Sequence, residues 1–293
     1  MIVPILLGAL ALLAAVYAIQ LFRTARARGG LPPSLEGIGI GAVANFFDAL
    51  GIGSFAPTTA WLKFRKLVPD SWLPAVLNAG HCLPTVAQGL VFINLVRVDP
   101  ILLIACIGAA VVGAVIGAPI VQRMPVRVIQ AIVGLALVIA AILYALTNLN
   151  LMPGGGEALA LTGWLFVAAV AAHLLLGALM TFGIGLYAPS LILLSLFGLD
   201  PKAAFPIMMG ACAFLMPVSA LRFIKGDRID LKLVLGMAIG GIPAVLLAAF
   251  VIKSLPLETL RWGVVVVVLY AAAVLLWSAF KGRAEQPAVT PVL

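Results

Sequence analysis

The chain has 293 residues, of which 64% are hydrophobic and 10% charged, with a mean hydropathy of +1.24; a soluble domain carries about a quarter charged residues. The net charge of +8 does not indicate a nucleic-acid partner, because no basic face with interleaved aromatics exists and the Lys and Arg stand at the ends of apolar runs, as loop residues of membrane proteins do. No polar stretch is long enough for a second, soluble domain, so composition points to one all-α integral membrane domain surrounded by lipid.

The first apolar run, 2–22, lacks a basic start and is followed at once by Arg23, Arg26 and Arg28. A signal peptide has the opposite charge order, so the run reads as a retained helix, residues 1–30 with its basic loop, whose C-terminal end is cytoplasmic. Further runs of roughly the 20 residues needed to span hydrocarbon are 72–95, 100–121, 128–147, 202–224, 231–252 and 258–280. Two stretches do not fit that template. Residues 35–62 are cut by Gly51-Ile52-Gly53 and Pro57, and residues 159–198 by Gly183-Ile184-Gly185 and Pro189. The loop Asn148–Glu157, with Met152-Pro153-Gly154-Gly155-Gly156, is the clearest punctuation. It separates a first unit, 31–147, from a second, 159–280, through a linker at 148–158. The tail 281–293 is polar, holds two prolines and reads as disordered.

The two units match at a fixed offset. Gly51-Ile52-Gly53-Ser54-Phe55-Ala56-Pro57 lies 132 positions before Gly183-Ile184-Gly185-Leu186-Tyr187-Ala188-Pro189, and Pro74 and Pro206 share that offset. Arg97-Val98-Asp99 and Arg228-Ile229-Asp230 are related by 131, as are Met124-Pro125 and Leu255-Pro256. Such agreement argues for a duplicated unit, each an interrupted segment followed by three ordinary spans. If each interrupted segment is a re-entrant hairpin and the N-terminus is outside, fourteen of the eighteen Lys and Arg become cytoplasmic; if both cross fully, the split is ten to eight and carries no orientation signal. The hairpin arrangement has a consequence: the first hairpin enters from the cytoplasm and the second from outside. The units are then inverted repeats with broken helices near the midplane, a recurring carrier architecture.

Broken helices in lipid persist only where the freed backbone is buried in protein or lines a wet cavity. A helix start offers unpaired N–H groups at the positive end of its dipole, which suits an anion. Gly51, Gly53, Ser54 and Phe55 at the first break, and Gly183, Gly185, Leu186 and Tyr187 at the second, are therefore candidate substrate-binding residues, with Thr58, Thr59 and Ser190 adding hydroxyls a turn later. The competing reading is that the glycines only allow tight helix packing. Asp48, the one carboxylate well inside an apolar segment, is expensive there and is a candidate for proton coupling; it could instead cap the unwound backbone. Its mirror position is Met180, so the site is expected to be asymmetric. Asn78 and His81, three residues apart on one face, are further substrate-contact candidates. With Asn45 and Gln88 they form a polar set that meets at one cavity if the first hairpin packs on the following helix. His173 and the aromatics Phe46, Phe47 and Phe182 read mainly as structural. Arg222, at the end of its helix, snorkels to lipid phosphate. Gly113-x-x-x-Gly117 and Gly236-x-x-x-Gly240 read as close helix contacts. Cys82, Cys106 and Cys212 lie in apolar segments without CxxC spacing and read as packing residues. Two histidines are too few for a conventional zinc site; no metal, cofactor or catalytic residue is expected.

The paired glycine–proline breaks, the two four-segment units and the length resemble the sulfite exporter TauE/SafE family of membrane permeases, over Glu36 to Phe280. Ser54 and Leu186 stand where that family commonly has a third glycine. The resemblance implies a small anionic substrate, sulfur-containing or organic (sulfite, sulfonate or thiosulfate-like), moved across a bacterial inner membrane by alternating access, with the N-terminus outside and the C-terminus cytoplasmic. No GxxxxGK[ST] nucleotide motif is present, so an ion gradient or the substrate's own gradient supplies the drive. The alternatives are an anion channel, an intramembrane lipid-phosphate hydrolase, which needs a deep arginine the sequence does not offer, and a structural subunit, for which paired breaks have no use.

Overall fold

The computed structural model describes residues 2–49, 53–95, 97–151, 156–251 and 257–281. Among these the chain is helical, apart from a single bridge between Ala158 and Leu199. The helices are α1 (Ile2–Ala27), α2 (Leu35–Ala49), α3 (Phe55–Arg65), α4 (Leu73–Gly80), α5 (Cys82–Leu95), α6 (Pro100–Arg123), α7 (Val126–Asn148), α8 (Gly163–Met180), α9 (Tyr187–Leu196), α10 (Pro201–Phe223), α11 (Leu231–Val251) and α12 (Leu257–Lys281), with one 3-10 turn at Asp70–Trp72. Six of these helices contain stretches long and apolar enough to cross a bilayer: 3–27, 100–123, 126–148, 163–180, 201–223 and 231–248. The protein is a multi-pass membrane protein.

Local chemistry sets the ends. Asp99 caps α6 by accepting from Leu102 N–H at 2.7 Å, with Pro100 at the first helical position. Asp230, its counterpart at the 131 offset, accepts from Leu233 N–H at 3.0 Å and starts α11 in the same way. The expected span 72–95 is not one helix. It is broken at His81 into α4 and α5, since Pro84 has no N–H for the carbonyl of Gly80. The hydroxyl of Tyr17 donates to the nearby Ala79 carbonyl at 2.7 Å, which docks α1 on this kink through its buried stripe Leu10, Tyr17, Leu21 and Ala25.

The two interrupted segments each have their outer ends tied together. Arg65, the last residue of α3, donates through Nε to Glu36 at the start of α2, at 2.8 Å. Beyond α9, Asp200 N–H donates to the Ala158 carbonyl ahead of α8 at 2.8 Å, and Trp164 and Phe197 stack edge to face at 6.1 Å. The first pair of ends lies with the ends of α1 and α10 and the start of α11: Ser34 N–H donates to Lys232 O at 3.0 Å, and Arg28 Nη1 to the carbonyls of Ile224 and Gly226 at 3.1 and 2.8 Å. The second pair lies with the loop between α5 and α6, where Asp99 N–H donates to Leu159 O at 2.9 Å.

Each interrupted segment packs on the opposite unit, α2 along α11 and α8 along α6, and glycine makes both contacts possible. A Cβ on Gly41 meets the backbone of Met237, and one on Gly240 the backbone of Ile38; on the other side Gly113 faces Leu174 and Ala178, Gly117 faces Ala178 and Thr181, and Gly177 faces Ala110. Both GxxxG pairs singled out in the sequence thus sit at backbone-to-backbone contacts. Gly41→Ala lowers stability by about 1–3 kcal/mol through overpacking. Gly39→Ala, where a Cβ meets nothing within 4 Å, raises it by up to about 1 kcal/mol through helix propensity. Thermal unfolding of both variants in detergent checks the pair, and equal melting temperatures would contradict the packing argument.

Candidate functional site

Both breaks open on one cavity of about 80 Å³. It exceeds the roughly 30 Å³ share of one water and falls well short of the ~300 Å³ at which drug-sized pockets begin, so it suits a small ligand. From the first break it is lined by Asp48, Gly53, Ser54 and Phe55, and from the second by Gly183, Gly185, Leu186 and Tyr187. Gly51, the remaining break residue expected to bind substrate, lies outside the described residues. Gly53 and Gly183 take φ of +85° and +96°, values that a side chain resists, which is why the chain turns there. The end of α8 closes in local turns at the second break: Thr181, Phe182 and Gly183 donate to Ala178, Leu179 and Met180 at 3.0–3.1 Å.

The carboxylate of Asp48 lines the cavity beside Ser54, immediately before α3, and accepts from Gln88 Nε2 at 2.6 Å. The other end of the Gln88 amide, Oε1, accepts from the hydroxyl of Tyr187, first residue of α9, at 2.8 Å. One side chain of α5 therefore links the two breaks. Among the described residues Asp48 forms no salt bridge, and it is the sole charged residue lining the cavity.

The other polar residues expected at the site are not brought to the cavity wall. His81 is fully buried, with Nδ1 3.0 Å from Asn45 Oδ1 and Nε2 3.0 Å from Thr58 Oγ1. Asn45 Nδ2 donates to Gly41 O at 2.8 Å, so its oxygen faces the ring. His81 Nδ1 then carries the hydrogen, and Nε2 accepts from Thr58. Ser190, one turn into α9, is placed in the same way: its Oγ lies 3.0 Å from Nε2 of His173, whose Nδ1 donates to Ala169 O at 2.8 Å. Thr58 and Ser190 occupy equivalent positions at the 132 offset. Asn78 donates to the Met180 carbonyl at the end of α8 at 3.1 Å and to Pro74 O at 2.9 Å. Thr59 bonds to the Phe55 carbonyl at 2.8 Å within its own helix.

The cavity has contributors that the sequence did not single out for it. Tyr144 and Thr85 line it, as does Cys212, whose Sγ lies 3.5 Å from Met180 Sδ. Gln88 stood in the polar set, yet nothing in the sequence pairs it with both Asp48 and Tyr187. Tyr144 left a fainter signal as a lone hydroxyl in a long apolar run, and Cys212 left none. Among the described residues no group of three His, Cys, Asp or Glu is placed to hold a metal.

Replacing Thr58 by Val or Ser190 by Ala removes the donor from a buried histidine nitrogen, and each costs about 1–3 kcal/mol. Thermal unfolding in detergent reads this out; unchanged melting temperatures would show that the hydroxyls do not serve the histidines.

Comparison with known proteins agrees with the resemblance. The family model described as Sulfite exporter TauE/SafE matches residues 165–293, from the second residue after the start of α8 onward. The resemblance read over Glu36–Phe280 is thus shown for the second unit. No curated protein and no solved structure matches.

Proposed function

We propose, with the match of residues 165–293 to the TauE/SafE sulfite exporter family as premise, that this chain is a secondary carrier of a small anion. The substrate is sulfur-containing or organic, in the class of sulfite, sulfonates or thiosulfate, and the carrier works by alternating access in a bacterial inner membrane. The observation that carries the reading is that the two breaks line one small cavity.

A small oxyanion needs donors and a positive field without a full cation that would trap it, and half-helix starts supply both. Beside the start of α3 the Asp48 carboxylate lines the cavity with Ser54 and disfavours a second anion there. In α9 no acidic side chain lies in the first turn and no side chain caps the N-terminus. The anion is therefore held chiefly at the start of α9, by Gly185, Leu186 and Tyr187, with Gly53 and Phe55 opposite. Thr58, Ser190, His81 and Asn78 serve as the frame that sets the angle of the two short helices.

The tied ends support an inverted arrangement: α2–α3 returns to the face that holds the ends of α1 and α10, and α8–α9 to the face that holds the loop between α5 and α6. With thirteen of the sixteen described Lys and Arg assigned to the first of these faces, the reading makes that face cytoplasmic, with the N-terminus outside and the C-terminus inside. An anion channel and an intramembrane lipid-phosphate hydrolase are less well supported. No described arginine or lysine lines the cavity, and the matched family is one of exporters.

The test is saturable uptake of labelled sulfite into proteoliposomes. Gly185 separates binding from folding, because its Cβ position meets nothing within 4 Å. Gly185→Val keeps the melting temperature and abolishes uptake, whereas Gly53→Val also strains a positive φ. Wild-type sulfite uptake in the Gly185→Val carrier would remove the anion site from this cavity.

A further inference from the structure

We propose that Asp48, Gln88 and Tyr187 form a proton-operated switch. Protonation of Asp48 reverses the hydrogen-bond chain through the Gln88 amide and releases the Tyr187 hydroxyl to donate to an anion in the cavity. The inference rests on the carrier reading and adds its coupling ion, the proton.

The geometry fixes the starting state. Gln88 Nε2 donates to Asp48 Oδ2, and Tyr187 O–H donates to Gln88 Oε1. A tyrosine hydroxyl has one hydrogen, and here it is spent on Gln88. In this state the hydroxyl at the second break is engaged by the protein itself, and a negative charge stands in the wall of the cavity. A second anion a few ångströms away, in a poorly solvated site with no facing cation, is strongly repelled.

Addition of a proton from water to Asp48 Oδ2 removes the charge and turns that oxygen into a donor. The Gln88 amide then rotates by half a turn, so that Oε1 accepts from Asp48 and Nε2 donates to the Tyr187 oxygen. The Tyr187 hydrogen must point elsewhere, and the cavity that Tyr187 lines is where an anion receives it. No covalent bond other than the new O–H is made or broken. Release of the proton on the far side restores the first state and expels the anion, so one proton travels with each anion.

The groups that face Asp48 are consistent with its being the titrating site. Ser54 precedes α3, Gln88 comes from α5, Tyr187 from α9 and Cys212 from α10; the latter two are the ionisable groups that line the cavity with Asp48 from the second unit. Tyr144 of α7 lines the same cavity. Packed along α2, α11 carries one ionisable side chain, Lys232 in its first turn. Gln88 is a positioning residue in this scheme, acting on the anion through Tyr187.

The experiment measures sulfite affinity of the purified full chain at about pH 6 and about pH 8, always as the ratio of variant to wild type at one pH, which cancels the titration of sulfite itself. Tyr187→Phe weakens binding about tenfold at the lower pH and less than about twofold at the higher, the loss expected for one hydrogen bond to a charged partner. Gln88→Met makes the Tyr187→Phe penalty equal at both pH values, and Gln88→Glu, which keeps an acceptor for Tyr187, restores a difference between them. Asp48→Asn binds sulfite at the higher pH at least about tenfold better than wild type and carries no protons with it in proteoliposomes. A Tyr187→Phe penalty that is the same at both pH values in the otherwise native chain overturns the switch, and does so with Asp48 intact. Proton flux that persists in Asp48→Asn overturns it as well. Absence of any sulfite uptake by the wild type at either pH is a different failure, that of the carrier reading itself.

Discussion

A helix interrupted inside a bilayer leaves carbonyls and amides that lipid cannot satisfy, and the polar residues of this protein are arranged around that debt. The ends of the two breaks are served differently. At the first, the carboxylate of Asp48 stands beside Ser54 and accepts from Gln88; at the second, tight local turns and the amide of Asn78, bonded to Met180 O, close the end of α8. Asp48 and Met180 are equivalent positions at the 132 offset, so the glycine–proline pattern recurs while the side chains beside it differ. A charge at one break and none at the other gives an anion two unlike neighbours, and that inequality allows occupancy to depend on a proton.

Packing decides how such a site moves. Neither short helix pair rests mainly on its own unit: α2 lies along α11 and α8 along α6, with glycines against backbone at both contacts. Contacts this close tolerate sliding better than separation, because no interlocked side chain has to leave a hole. The buried pairs His81–Thr58 and His173–Ser190 add stiffness where α3 and α9 leave their breaks. The two half-helices are thus held at their first turn and smooth along their partner arms, so a rigid displacement of one pair is less costly than bending it.

Much of this was legible in the sequence because backbone breaks are written in glycine and proline. The offset of 132 takes Phe55 to Tyr187, and these prove to be the first residues of α3 and α9; the two Arg-x-Asp motifs prove to end in matching helix caps. Asp48, a carboxylate in an apolar segment, was also recognisable as a candidate, and it lines the cavity. Pairing was not. Thr58, Ser190, Asn78 and His81 have the composition of a binding site, yet their hydrogen bonds are internal, and only three-dimensional placement distinguishes a polar group that serves a ligand from one that serves the fold. The break at His81 was missed because Pro84 acts on a carbonyl four residues earlier, in a run whose hydropathy never falters. Gln88 could be listed as polar and buried, but its role depends on two partners 40 and 99 positions away.

The absence of a lysine or arginine among the described residues lining the cavity bears on the proposed carrier reading. A buried guanidinium would bind an oxyanion tightly through two parallel hydrogen bonds and hold it against release, which favours a receptor over a carrier. Helix-start amides and one hydroxyl attract less strongly, and a carboxylate in the same wall can cancel that attraction once it loses its proton. Affinity is then switched by a charge that the protein itself carries, rather than by large motions of the binding groups. A carrier built this way needs little shape change at the site, because loading and unloading are decided by which face of the membrane last exchanged a proton with Asp48.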